Sequence, residues 1–204
     1  MKKFAVFVSG SGTNLQAIID SVKAGEVTAE LALVVSDRDS AFALQRAEQA
    51  GIPAKVFNPK NYTNPQSVDR DIAAYLKEQK IDFVVLAGYM RMLTPFFIKE
   101  FKGCILNIHP ALLPSFKGIS GIKDAMTYGV KVTGVSIHFV DEKMDHGPII
   151  DQEAVRIQED DTLETLSNKI HKIEHRLYPK AIQLFAEDRL KIVNGRRVEI
   201  RPKI

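Results

Sequence analysis

One cysteine, Cys104, is all that this 204-residue chain contains, which excludes a disulfide framework and a cysteine zinc cluster. An excess of charge is also missing. The 28 Lys and Arg residues face 25 Asp and Glu, a formal charge of +3, too mild to announce a nucleic-acid partner. No apolar run approaches the roughly 18 residues of a transmembrane helix. The run Phe4 to Val8 is too short for the core of a secretory signal, so no membrane contact is expected and a soluble cytoplasmic protein is. Repeats, low-complexity tracts and composition breaks are lacking too, and one domain over 1–204 is the economical reading. What is there is ordinary globular composition, 45% hydrophobic and 26% charged. A chain of this size buries about 70% of its extended surface, enough for a core without staples.

Short β-rich runs alternate with stretches of helical period, the pattern of βαβ units around a parallel sheet. Strands are predicted at Phe4 to Ser9, Leu31 to Val35, Ala54 to Phe57, Asp82 to Ala87 and Cys104 to Ile108. Between them fall helices at about Asn14 to Ala24, with Leu15, Ile18, Ile19 and Val22 on one face, at Ala41 to Ala50, from the polar loop Asn58 to Gln66 onward to Gln79, and at Thr94 to Phe101. The segment His109-Pro110-Ala111-Leu112-Leu113-Pro114 must be loop. A helix follows over Ser120 to Tyr128, then an antiparallel pair, Val132 to Val140 and Ile149 to Ile157, across a turn at Gly147-Pro148. Asp161-Thr162 caps a long amphipathic helix to about Ala186, and Leu190 to Val193 with Val198 to Ile200 form a hairpin on Asn194-Gly195. The fold class expected is α/β: an open, mostly parallel twisted sheet with helices on both faces, Rossmann-like, and antiparallel strands toward the C-terminal side.

Several motifs carry chemistry. Gly10-Ser11-Gly12-Thr13-Asn14 joins the first strand to the first helix, where glycines and helix-terminal amides suit an anion. Leu15 stands where a dinucleotide fingerprint needs glycine, and a Walker lysine is absent, so one phosphate fits better than a pyrophosphate. Asn107 and His109, two apart at a strand end, aim to one side at the carboxyl edge of the sheet, an amide and an imidazole able to cradle an oxyanion and move a proton, the alternative being a histidine that only bonds the adjoining loop. Asp145, in the turn region Asp141 to Pro148, could orient His109 and favour its charged form. His171-Lys172-Ile173-Glu174-His175 has the spacing of an inverted zinc-protease motif, but Lys172 and Arg176 would repel a dication. A solvated basic helix face is favoured there over metal, with Glu174 suited to a sugar diol. His138, between Ile137 and Phe139, reads as a bonded strand histidine, and Arg189, Lys191, Arg196, Arg197, Arg201 and Lys203 as a solvated basic hairpin.

Four ordered motifs, Val8 to Gln16, Leu86 to Arg91, Asn107 to Pro114 and Val140 to Ile149, resemble those of the phosphoribosylglycinamide formyltransferases over nearly the whole chain. The resemblance implies 5-phosphoribosylglycinamide as substrate, 10-formyltetrahydrofolate as formyl donor and no metal. It implies Asn107, His109 and Asp145 as the catalytic trio, Asp145 raising the pKa of His109. By the same likeness Gly12, Thr13, Asn14, Leu15 and Gln16 would hold the ribotide phosphate and Glu174 its ribose. Met90, Arg91, Met92 and Leu93, with Asn107, Val140 and Asp141, would take the folate. Residues 1–100 then form a phosphate-binding half and 101–204 a catalytic and folate-binding half. Two departures stand out: Ser115 to Ser120 lacks the Pro-Gly and histidine of many members, and Pro65 replaces an arginine of some.

Small molecules are thus the expected partners, to a monomer or homodimer. The alternatives are a 10-formyltetrahydrofolate hydrolase or another formyltransferase of the same fold, whose additional domains have no room here, and a nucleotide-binding Rossmann module supported by Gly-x-Gly and by Asp37 after the second strand.

Overall fold

The computed structural model describes residues 1–203, and its elements follow the predicted alternation closely. In chain order they are β1 (Lys3–Val8), α1 (Thr13–Lys23), β2 (Glu30–Ser36), α2 (Phe42–Gln49), β3 (Ala54–Val56), α3 (Pro65–Glu78), β4 (Phe83–Leu86) and α4 (Pro95–Glu100). Then come β5 (Ile105–His109), α5 (Gly121–Tyr128), β6 (Val132–Phe139), β7 (Ile149–Arg156), α6 (Leu163–Ala186), β8 (Leu190–Val193) and β9 (Arg197–Ile200). A 3-10 turn at Pro59–Asn61 sits inside the stretch expected to be plain loop, because Asn58 caps it by accepting from the Lys60 amide at 3.1 Å. The seven-stranded mixed sheet has the order β3-β2-β1-β4-β5-β6-β7, and β8-β9 is a separate ribbon. Parallel pairing joins β1 to β2 and β4, and β2 to β3, whereas β6 and β7 run antiparallel. Two compact units divide the chain, one over Met1–Leu106 and one from Asn107 onward.

In the first unit β1 and β4 are buried on both faces, as their unbroken apolar runs require. Phe4 stacks on Phe83 at 5.1 Å, and Phe7 meets Tyr89 and Phe97 edge-on or tilted. Helix α1 buries Leu15, Ile18 and Ile19 as predicted, but Ser21 takes the inner place expected of Val22, its hydroxyl donating to Glu26 at 2.9 Å. Strand order reverses at β1, which has β2 on one side and β4 on the other, and such a switch point opens a crevice at the carboxyl ends of the strands. The loops leaving β1 and β4 meet there. The Ser9 amide donates to the Gly88 carbonyl at 3.1 Å, and the Met90 amide donates to the Ser9 hydroxyl at 2.8 Å.

In the second unit α6 is set by a capping box, Thr162 and Thr165 each accepting from the other's amide, and it buries Leu166, Ile170, Leu177, Tyr178 and Ile182. A register shift between Ile137 and His138 marks a bulge in the β6–β7 ladder. Bulges re-aim a side chain, and this one falls at His138. The long loop from β6 to β7 closes through Gly147, where an added Cβ would lie 1.8 Å from the Phe139 carbonyl oxygen, so only glycine fits.

Candidate active site

Asn107 and His109 come from β5 two residues apart, His109 only 3% exposed. Asp145 comes from the loop after β6, on a left-handed backbone (φ 46°) that aspartate tolerates better than most residues. One Asp145 oxygen lies 3.5 Å from His109 Nδ1 and the other 3.7 Å from His138 Nε2. The three predicted catalytic side chains therefore gather within the second unit, and a fourth residue joins them.

That fourth residue, His138, was expected to be a bonded strand histidine and is more than that. Its Nδ1 donates to the Phe139 carbonyl at 2.7 Å, and a carbonyl can only accept, so the neutral ring has a bare Nε2. Asn107 Nδ2 donates to that nitrogen at 3.1 Å, which fixes which way the Asn107 amide faces. With a second proton the same Nε2 would donate to Asp145 instead. A usable signal was present in the sequence. Ser136 and His138 are polar residues at period two in a mostly apolar strand, and both are buried, as is Thr133 nearer its start.

His109 Nε2 donates to the Phe116 carbonyl at 2.8 Å, which leaves Nδ1 facing the Asp145 carboxylate. Burial lowers the His109 pKa below its ordinary 6.5; Asp145 and the Phe116 carbonyl pull it upward but do not prevail. The expected influence of Asp145 is thus present and outweighed, so the net shift runs opposite to the one expected from the carboxylate. For Asp145 burial alone would raise the carboxyl, yet the His138 ring, the Gly118 amide (2.8 Å) and the His109 charge together hold it below the usual value. The segment carrying Phe116 and Gly118 thus satisfies both members of the pair. It bends through two positive φ values, 50° at Phe116 and 100° at Gly118, and the Phe116 ring rests edge-on against Tyr128.

The loop between Pro110 and Pro114 is pinned from below. The buried Ser136 hydroxyl accepts from the Leu113 amide at 2.9 Å, donates to the Ala111 carbonyl at 2.6 Å and accepts from Gln152 at 2.7 Å. Val140 and Asp141 begin the Asp145 loop. Burial pushes the Asp141 carboxyl up, but its pairing with His146 at 2.7 Å, the Lys143 amide and the nearby His138 together hold it below its ordinary value. Glu174 lies on the buried side of α6, 4% exposed, while Lys172 and Arg176 on the same helix are exposed. The stretch predicted as a solvated basic face is therefore divided, with a carboxylate turned into the protein. His171 and His175 stack one turn apart, and burial lowers the His171 pKa.

The other expected ligand-binding residues lie in the first unit. Gly12 takes a left-handed φ of 72° at the start of α1, and Ala43 of α2 packs so closely that an added Cβ would sit 2.6 Å from its Cβ. No side chain caps this helix end and its first turn has no acid, so the amides of Thr13, Asn14 and Leu15 open the helix in the way that suits an anion. Gln16 begins the helical ladder, donating to the Gly12 carbonyl at 2.9 Å.

Met90 and Met92 are exposed, at 49% and 60%, whereas Leu93 is buried. Arg91 is committed inside the unit. It pairs with Asp69, a fully buried carboxylate on α3, and donates to the Tyr89 hydroxyl at 3.1 Å. Asp69 also accepts from the Thr94 amide at 2.6 Å, so one buried acid holds both ends of the 91–94 turn. Pro65, the departure noted above, is the first residue of α3, behind an Asn64 cap that accepts from Ser67 at 2.9 Å. Asp37 follows β2, 7% exposed, its nearer oxygen 3.8 Å from Arg38.

Comparison with known proteins places the chain in a family. The formyl transferase family model matches residues 2–182. The phosphoribosylglycinamide formyltransferase of Bacillus subtilis (strain 168) is 45% identical over 183 residues, covering 90% of this chain and 94% of that protein. That of Haemophilus influenzae is 43% identical over 192 residues, 94% of this chain and 91% of its own. The crystal structure of glycinamide ribonucleotide transformylase 1 from Symbiobacterium toebii superposes with a TM-score of 0.96 at 46% identity, covering 99% of this chain and 95% of that one. The resemblance read from four sequence motifs is thus matched by fold, length and family, and the chain belongs to the formyl transferase family.

Proposed function

We propose that the chain transfers the formyl group of 10-formyltetrahydrofolate to the amine of 5-phosphoribosylglycinamide in purine biosynthesis. The observation that carries the chemistry is the gathering of Asn107, His109 and Asp145 around shared hydrogen-bond partners in a member of this family. The near full-length likeness to phosphoribosylglycinamide formyltransferases supports the substrate.

In the reaction a nitrogen–carbon bond forms to the formyl carbon and the bond from that carbon to folate N10 breaks. One proton leaves the attacking nitrogen and one arrives at N10. A single imidazole that gives up a proton and regains one closes that balance. Protonated His109 would keep Nδ1–H toward Asp145 and offer Nε2–H to the substrate, which takes the place of the Phe116 carbonyl. The lowered pKa makes this cation the readier acid toward N10, while Asp145 limits the lowering. The Asn107 amide, its orientation set by His138, would donate its remaining N–H to the oxyanion. Gly12 to Gln16 would take the ribotide phosphate, Glu174 the ribose hydroxyls, and Met90 to Leu93 with Asn107, Val140 and Asp141 the pterin.

Formyl transfer followed by folate absorbance tests this. His109→Ala and Asp145→Asn are each expected to lose roughly 100-fold or more in kcat. Activity retained in His109→Ala would remove the proposed mechanism while leaving the substrate reading intact.

A further inference from the structure

We propose that Arg46 is a positioning residue for the phosphate end of the substrate, bracing the Gly10 to Gln16 loop and supplying the positive charge that the loop itself lacks. The inference rests on the ribotide reading above. The loop contains no Lys or Arg, so the sequence alone leaves a phosphate dianion to backbone amides. Arg46, on α2, answers this from outside the loop. Its Nε donates to the Ser11 carbonyl at 2.8 Å and its Nη1 to the Gln16 side-chain carbonyl at 3.2 Å.

Each contact has a consequence for an anion. A carbonyl oxygen in an anion loop opposes the ligand with its partial negative charge, and Arg46 neutralises the one at Ser11. Gln16 is held at both ends, since its Nε2 donates to Asp20 at 2.9 Å, so its amide cannot turn away from the guanidinium. The Arg46 guanidinium also lies over the Phe42 ring at 5.0 Å, which fixes its plane. Two of five N–H donors serve the loop, and the cation stays half-buried beside it. The same helix supplies the second restraint. Ala43 donates its amide to the Gly10 carbonyl at 3.1 Å and packs against Gly12, so α2 shapes the loop by backbone, by volume and by charge.

Steady-state kinetics separate this role from a merely structural one. Wild type, Arg46→Met and Arg46→Lys are compared on phosphoribosylglycinamide and on the glycinamide riboside that lacks the phosphate. Arg46→Met is expected to raise KM for the ribotide about tenfold or more, with kcat nearly unchanged and kcat/KM for the riboside within about twofold. Arg46→Lys keeps the charge without the fork, so it should recover part of the loss. If Arg46→Met does not fold, Arg46→Lys decides, because its ribotide KM should still rise selectively. Equal losses on both substrates, or an unchanged ribotide KM, would overturn the inference. A wild-type enzyme indifferent to the phosphate would overturn the substrate reading as well.

Discussion

At His109 two effects act in opposite directions on one ring. Asp145 at 3.5 Å favours the charged imidazole, and burial of a residue 3% exposed disfavours it more strongly. A folded pKa below 6.5 means that the folded chain binds fewer protons than the unfolded one between that folded value and 6.5. The His109 contribution therefore costs stability as pH falls through that window. Asp145, held below 3.8, works at the far acid end: its stabilisation is present above 3.8 and is lost as pH falls through its own lower value. An NMR titration of the His109 ring should give a midpoint below 6.5 in wild type, and a lower one still in Asp145→Asn, where the opposing charge is gone. A midpoint that rises on this substitution would contradict the assignment. The sequence could show that a carboxylate stands near His109 in the family pattern, but not that burial outweighs it. For His138 the sequence offers only a polar residue in a mostly apolar strand, and its part in the site emerges with the bulge and the bond to Asn107.

Elements were more legible than residues, and for a physical reason. Unbroken apolar runs place β1 and β4, and helical periodicity places α1, each to within a residue at its ends, since their burial follows a pattern that the sequence already displays. Pro179 did not hide α6, whose caps and long apolar stripe outweigh the one hydrogen bond a proline removes. What the pattern could not supply was the reach of buried polar groups between elements. Asp69 sits among Val68, Ile72, Ala73 and Leu76 on the buried face of α3, and only the structure shows that it ties Arg91 and Thr94. Asp69→Ala would leave the Arg91 cation without its buried partner, and urea unfolding should record a loss of roughly 3–5 kcal/mol. The milder Asp69→Asn should fold and raise KM for the folate donor more than that for the ribotide; equal changes would separate Asp69 from the 90–93 loop. Gly147→Ala should destabilise by more than about 2 kcal/mol in the same urea assay, because a Cβ would meet the Phe139 carbonyl at 1.8 Å. Full stability in that variant would mean that the Asp145 loop closes less tightly than described.

For the whole molecule the features read first from composition keep their meaning and gain detail. The +3 charge suits the small anionic substrate proposed above better than a polyanion. Among the described residues no helix is long and apolar enough to cross a membrane. The α/β class and strand alternation were legible because βαβ order is written in the chain, and the four motifs sit where strands β1, β4, β5 and β6 give way to loops. The most direct measurement is of product. The purified protein is incubated with 10-formyltetrahydrofolate and phosphoribosylglycinamide, and the ribotide is followed by mass spectrometry while folate release is counted. The expected result is one formyl group on the ribotide amine for each tetrahydrofolate released, with little release when the ribotide is omitted. Formate appearing at the same rate with or without the ribotide, or formyl transfer to an aminoacylated initiator tRNA and none to the ribotide, would contradict it.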